Sequence, residues 1–409
     1  MPQKPGTTGD VINGDVDDGY GRIADAFRRN LSSGAEIGAA VAVYRDGRKV
    51  VDLWGGYRNA DTQAPWESDT LVNVFSTTKG VASLAVARAA SRGLIDYEAK
   101  VADYWPDFAQ AGKGAITVRQ LLSHQAGLVA IKPPLTYEDI ADPDKLSAKI
   151  AKQVPAWSPG TRHGYHAVTL GWYESALIRH VDPKKRTLGR YFAEEIAGPL
   201  DIDFFIGLPE AVDRSRVARL KALALKDLVW HMNTMPPLFA LAMFNKYSLP
   251  ARAFVVAPGV TGAGAFNHDK LRIPEMPAVN GTATARSIAK LYGAAATGDG
   301  ALGLSRAVRD ALEGPAVKPT GRLRDRIMHV DSLYSLGFGK PTSTWVFGSS
   351  DKAYGWPGAG GSVGFADPDT GIGFGYVMNR MGYHLFSDPR ELALRQALFG
   401  DLLGARTQT

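Results

Sequence analysis

Cysteine is absent from this chain of 409 residues, so disulfides, thiolate metal sites and a cysteine nucleophile are excluded together. A chain without thiols suits a reducing compartment, and a cytoplasmic location is the expectation. Long apolar stretches are missing too: the longest clear mid-chain run covers residues 238–244, far short of the ~20 a membrane span needs. Residues 1–21 have one lysine and no apolar core, so they read as a polar arm and not as a signal peptide. Charge of one sign is nowhere concentrated. The net charge is +6, but the densest basic cluster is only Lys184, Lys185 and Arg186. That excess reads as a solvated surface, and no nucleic-acid partner is expected. Metal-binding spacing is lacking as well, since His163 and His166 flank Gly164 and Tyr165 without a third ligand and no His-Glu-x-x-His occurs. Neither a metal nor an organic cofactor is expected.

What is present can build an ordinary core, with 45% hydrophobic against 22% charged residues. Residues 20–31 alternate apolar and charged positions at helical spacing. Strand-like runs at 38–44 and 50–54 flank Arg45-Asp46-Gly47-Arg48, a hairpin signal. Residues 79–91, rich in Ala, Leu and Val, read as a buried helix. Further helices are expected at 116–122, 169–178 and 188–196, between loops punctuated by proline and glycine. Residues 230–254 are dense in large apolar side chains, which suits either helix core or a pocket wall. After a helix at 284–296, strands are expected at 342–347, 362–366 and 372–378. Asp367 to Gly371 supplies the turn between the last two. An amphipathic helix at 390–403 closes the chain. This order predicts an α/β architecture: a discontinuous sheet domain from residues 1–75 and 276–409, and a mainly helical domain from 76–275. The active site is expected where they meet.

A serine and a lysine three residues apart at a helix start share one face, one turn apart. The serine hydroxyl then sits at the positive end of the helix dipole, which favours a developing alkoxide. A lysine kept neutral by burial can accept its proton. Ser76 and Lys79 have this spacing, but so do Ser287 and Lys290, and Ser349 and Lys352. Their surroundings decide. Ser349 lies in a polar turn and Ser287 falls inside a helix beside Arg286, whereas Ser76 joins an apolar extended run to an apolar helix. Gly360-Gly361-Ser362-Val363-Gly364 matches the Gly-x-Ser-x-Gly elbow in form. That motif needs a strand, a sharp turn and a helix, and here another turn and strand follow. Ser76 is therefore the expected nucleophile.

Four segments in order carry a wider resemblance. They are Phe75-Ser76-Thr77-Thr78-Lys79, then Leu121-Leu122-Ser123-His124-Gln125-Ala126-Gly127-Leu128, then Ser158-Pro159-Gly160 followed by Tyr165. The last is Trp356-Pro357-Gly358-Ala359-Gly360-Gly361-Ser362. Over residues 20–403 the chain resembles the serine β-lactamase and D-alanyl-D-alanine peptidase superfamily, and within it the family VIII carboxylesterases. The resemblance implies their α/β (α+β) fold, an antiparallel sheet flanked by N- and C-terminal helices with an all-helical insert. It implies Ser76 as the acylated nucleophile, Lys79 as its general base and Tyr165 as the relay that protonates the leaving group or activates water. A neighbouring ammonium would lower the Tyr165 phenol. Backbone N–H groups of Ser76 and Ala359 would form the oxyanion hole.

Departures from the β-lactamase pattern bear on substrate. The nearest class has Tyr-x-Asn and Lys-Thr-Gly, where the asparagine binds the substrate amide and the lysine helps bind a carboxylate. Here the matching residues are Tyr165-His166-Ala167 and Trp356-Pro357-Gly358. An aromatic ring cannot pair with a carboxylate. Trp-x-Gly is similar to what esterases of the family carry, so the implied partner is a small-molecule ester, short-chain or moderately bulky. Its expected contacts are Trp356, Gly358, Phe75, His166, Trp230, Met232 and Phe239. His124 reads as a structural hydrogen-bonding residue. A β-lactamase or D-alanyl-D-alanine-type peptidase is the alternative enzyme, and a ligand-binding or sensor domain the non-catalytic alternative.

Overall fold

The computed structural model describes residues 12–223, 231, 234–260 and 262–402. In chain order its strands begin with β1 (Ile12–Val16), β2 (Gly38–Arg45), β3 (Arg48–Asn59), β4 (Ala64–Pro65), β5 (Val72–Asn73) and β6 (Phe204–Ile206). They continue with β7 (Gly281–Ala283), β8 (Tyr334–Ser335), β9 (Phe338–Gly339), β10 (Tyr354–Pro357), β11 (Val363–Asp367) and β12 (Ile372–Met378).

The β2–β3 hairpin forms where the sequence predicts it. Asp46 and Gly47 take positive φ of 50° and 77°, as a two-residue hairpin turn requires. The main sheet runs β1-β3-β2-β12-β11-β10-β9-β8, with β4 paired to β3. Its neighbours are antiparallel. At its centre β2 pairs β12, so the two ends of the chain are joined there. The helix Ala285–Thr297 packs on this seam, and two glycines of β12 let it approach. A Cβ at Gly373 would stand 2.0 Å from the Gly293 nitrogen, and one at Gly375 2.4 Å from the Ala285 oxygen. Helix α1 (Gly21–Ser32) buries Ile23, Ala26, Phe27 and Leu31 at helical spacing and packs against the helix Pro389–Gln396.

Helix α2 (Thr77–Ser91) is buried along nearly its whole length, which explains its apolar sequence on every face. It begins beside a small sheet in which β7 pairs both β5 and β6. The expected helices at 116–122 and 169–178 form as Val118–Leu122, closed by a Thr117–Gln120 capping box, and Thr169–Val181. Among the described residues no helix is long and apolar enough to cross a membrane.

The strand expected at 342–347 does not form. The Thr342 hydroxyl accepts from the N–H groups of Thr344 and Trp345, and the Thr342 N–H donates to the Trp345 carbonyl. A side chain thereby captures donors that a ladder would have used. Trp345 and Phe347 are buried by stacking on each other at 3.9 Å, and the strand beside β11 is β10 instead.

Candidate active site

Phe75 enters α2 at φ 47°, a strained conformation for a bulky residue. Three contacts hold it. The N–H and hydroxyl of Thr78 donate to the Phe75 carbonyl at 2.9 and 2.5 Å. The Phe75 ring packs edge-on against Phe266 with centroids 5.2 Å apart. The preceding residue, Val74, donates its N–H to the Gly281 carbonyl at 2.8 Å. This bend delivers Ser76 to the N-terminus of α2, at the lining of a cleft.

Lys79 lies one turn further on and is fully buried. Its amine stands 3.1 Å from Ser76 Oγ and donates to the carbonyls of Ala167 at 2.6 Å and Ala278 at 2.9 Å. Burial pushes Lys79 well below the usual lysine range, opposed only by the Glu174 charge. A neutral amine has two N–H groups and one lone pair. With its extra proton lost, the amine would keep its two hydrogens on these carbonyls and turn its lone pair to the Ser76 hydroxyl. From the other side Tyr165 donates its hydroxyl to the same Oγ at 2.7 Å.

The Tyr165 phenol corrects the sequence expectation. Burial pushes it up, and the bond to Ser76 only partly opposes this. The Lys79 nitrogen is 4.8 Å from the Tyr165 ring centroid, but a neutral amine gives a phenolate no support. At rest, therefore, Tyr165 is a proton donor.

Glu174 was not found from sequence. It is completely buried, and Ser83 of α2 donates to its Oε1 at 2.8 Å, while Oε2 has no partner among the described residues. Burial raises its carboxyl to about 8, so it keeps its proton at neutral pH. Burial thus disfavours charge on both Lys79 and Glu174. No motif marks Glu174, because a lone glutamate in a helical pattern reads as a surface residue.

The N–H groups of Ser76 and Ala359 donate to no acceptor among the described residues. Gly358 brings the second of them close. A Cβ there would stand 2.2 Å from the Val74 carbonyl oxygen and 2.2 Å from Ser362 Oγ, so only glycine lets this backbone pack beside Ser76. Ser362 is buried, donates to the Val74 carbonyl at 2.9 Å and meets Thr77 Oγ1 at 3.2 Å. It ties the sheet to the start of α2. Strand β11 follows it directly, so elbow geometry is absent as expected.

Of the expected substrate contacts, Trp356 and Gly358 line the cleft. Trp356 donates its indole N–H to the Gly337 carbonyl. Its ring stacks on Tyr165 at 5.3 Å and on Tyr334 at 5.7 Å. Phe75, His166 and Phe239 do not line it. Phe75 is spent on Phe266, and Phe239 packs behind Phe254, which is itself a lining residue. His166 is fully buried: Nε2 accepts from the Leu128 N–H at 3.0 Å, Nδ1 donates to the Gly164 carbonyl at 2.8 Å, and burial lowers it to about 3. It is a strut that orients the backbone next to Tyr165. His124 accepts the His166 N–H at 3.0 Å, which fits the structural reading. Trp230 and Met232 lie outside the described residues.

Apolar and aromatic side chains dominate the cleft, among them Phe254, Met328, Trp345, Leu385 and Phe386. Lys340 also borders it, but its ammonium donates to the carbonyls of Leu312, Glu313 and Lys352 at 3.1–3.2 Å. Exposed Asp331 stands at the rim. Among the described residues the cleft lining thus presents no free cation. Among the described residues no group of three or more His, Cys, Asp or Glu is placed to hold a metal.

A protein-family profile described as Beta-lactamase matches residues 23–399. The esterase/beta-lactamase LipL of Mycobacterium tuberculosis is 36% identical over 372 residues, covering 90% of this chain and 83% of its own. Two solved structures are similar throughout. A family VIII carboxylesterase superposes with a TM-score of 0.81 at 38% identity, over 95% of this chain and 98% of its own. A penicillin-binding-protein homologue from Caulobacter crescentus gives 0.80 at 36% identity, over 95% and 99%.

Proposed function

This chain belongs to the beta-lactamase family and is a serine hydrolase, and from that premise we propose that it is a carboxylesterase working through an acyl-enzyme on Ser76. One observation carries the reading: Ser76 Oγ lies between the buried Lys79 amine and the Tyr165 hydroxyl, at 3.1 and 2.7 Å.

Attack begins as the Ser76 proton passes to Lys79 and Oγ bonds to the ester carbonyl carbon. The oxyanion is received by the N–H groups of Ser76 and Ala359, an arrangement in which each donor is typically worth ~2.7–4 kcal/mol. Collapse breaks the bond to the alcohol oxygen, which takes the Tyr165 proton, and Tyr165 is resupplied from Lys79. Water then attacks the acyl group, gives its proton to the Lys79–Tyr165 pair, and Ser76 leaves with a proton restored. Support for an ester over a β-lactam comes from the cleft. Trp356 stands at the position where the related pattern has lysine, and Lys340 is engaged elsewhere, so among the described lining residues an anionic substrate meets no free counter-charge.

Hydrolysis of p-nitrophenyl butyrate and of the cephalosporin nitrocefin tests this with wild type and Ser76→Ala. Ester turnover that exceeds cephalosporin turnover and disappears in the variant is the expected result. Faster cephalosporin turnover, or ester turnover that survives in Ser76→Ala, would overturn it.

A further inference from the structure

Exposed apolar surface is concentrated in one place. Of nine large exposed hydrophobic side chains among the described residues, six fall between Leu238 and Val255. Leu241 and Phe244 are each 68% exposed and Tyr247 77%. They sit on and just after the short helix Pro237–Met243. Burying such side chains in a core is the ordinary outcome, and a contiguous group left in water marks a surface that meets something apolar.

The sequence adds a charge pattern. From residue 228 to 268 there is no aspartate or glutamate, in a chain that has 41 of them. Lys246 is exposed inside the patch with its ammonium 5.1 Å from the Tyr247 ring, and Arg252 follows. A second copy of the chain would bring no carboxylate from this stretch to meet Lys246 and Arg252. An anionic lipid surface satisfies both halves, taking the apolar groups among its acyl chains and the lysine at its headgroups.

The inner face of the same segment reaches the active site. Phe239 is buried against Phe254, and the Phe254 ring lies 6.1 Å from that of Tyr165. We propose that Leu238, Leu241, Met243, Phe244 and Tyr247, together with Lys246, form a surface by which this enzyme docks on anionic lipid–water interfaces. The cleft wall at Phe254 would then open toward lipid-borne substrates.

Vesicle sedimentation of the full chain tests the docking without reference to any reaction. Wild type is expected to pellet with phosphatidylglycerol–phosphatidylcholine vesicles, to pellet poorly with phosphatidylcholine alone, and to be partly released by high salt. The double variant Leu241→Asp, Phe244→Asp should lower partitioning by about tenfold or more, and Lys246→Glu by several-fold on the anionic vesicles only. Unfolding temperatures close to that of wild type would show that both variants are folded. Wild type that stays in the supernatant with anionic vesicles would overturn the proposal. So would folded variants that pellet like wild type, or a dimer that the double variant dissolves while vesicle binding is absent.

Discussion

Ser83 gives its hydroxyl to Glu174 at 2.8 Å while the second oxygen of that carboxyl has no partner among the described residues, and burial keeps the acid protonated in the same interior as Lys79. Its ionisation would place a negative charge that favours the protonated lysine, and a protonated Lys79 cannot accept the Ser76 proton. Wild-type activity should therefore fall above about pH 8, where Glu174 ionises. Glu174→Gln should keep activity near pH 7 within a few-fold and hold it to higher pH. A pH–rate profile of both enzymes decides this, and an unchanged alkaline limb would remove Glu174 from the account.

The same carboxyl makes folding pH-dependent. Its proton is held up to about 8 in the folded protein against the usual 4.5, so folding takes up a proton between those values. Stability contributed by this group is present in full below 4.5 and is lost as pH rises toward 8. Glu174→Gln should flatten that decline, with a relative gain on the order of 1–3 kcal/mol at pH 8. Denaturant unfolding at pH 5 and pH 8 measures it.

Lys79→Arg puts a permanent cation where the proposed base stands, since a guanidinium does not lose its proton in proteins. The expected kcat loss is about 10³-fold or more. Single-turnover kinetics should place the loss in acylation. A loss confined to KM would contradict the lone-pair geometry.

Gly358→Ala must displace backbone, because its Cβ would meet Val74 oxygen at 2.2 Å. The Ala359 N–H moves with it. A kcat loss of about 10²–10³-fold with KM nearly unchanged is expected, as for removal of one oxyanion donor. Steady-state kinetics on a neutral ester checks the split.

Asp331 is the charge left free at the rim of the cleft. Asp331→Asn should raise kcat/KM for an anionic ester relative to its neutral isostere by about two- to five-fold at low ionic strength, and less in salt. Equal effects on both esters would assign Asp331 no part in selecting substrate charge.

Much of this was legible in the sequence because the responsible signals are local. Asp46-Gly47 specifies its own hairpin, and the Ala-, Leu- and Val-rich run at 79–91 specifies a buried helix. Ser362 could be set aside because a turn and a strand follow it. What was not legible depends on partners distant in sequence. The carbonyls of Ala167 and Ala278 that orient Lys79 are backbone atoms with no residue signature. Tyr165 was expected to be acidified by a cation, and burial reversed that direction. The 342–347 strand failed because one threonine hydroxyl captured its donors. His166 reads as a substrate contact in the sequence, and only the fold turns its ring inward.

The seam between β2 and β12 has a consequence for how the protein is made. A ribosome that has finished residue 300 has already delivered Ser76, Lys79 and Tyr165. Strands β8 to β12, which supply the other half of the cleft, are not yet synthesised. Until residue 378 emerges, the N-terminal hairpin waits with one edge bare, and such edges invite pairing with the wrong chain. Yield in the cell should then depend on how quickly the last hundred or so residues follow, and a late truncation should cost the whole protein although it removes none of Ser76, Lys79 and Tyr165.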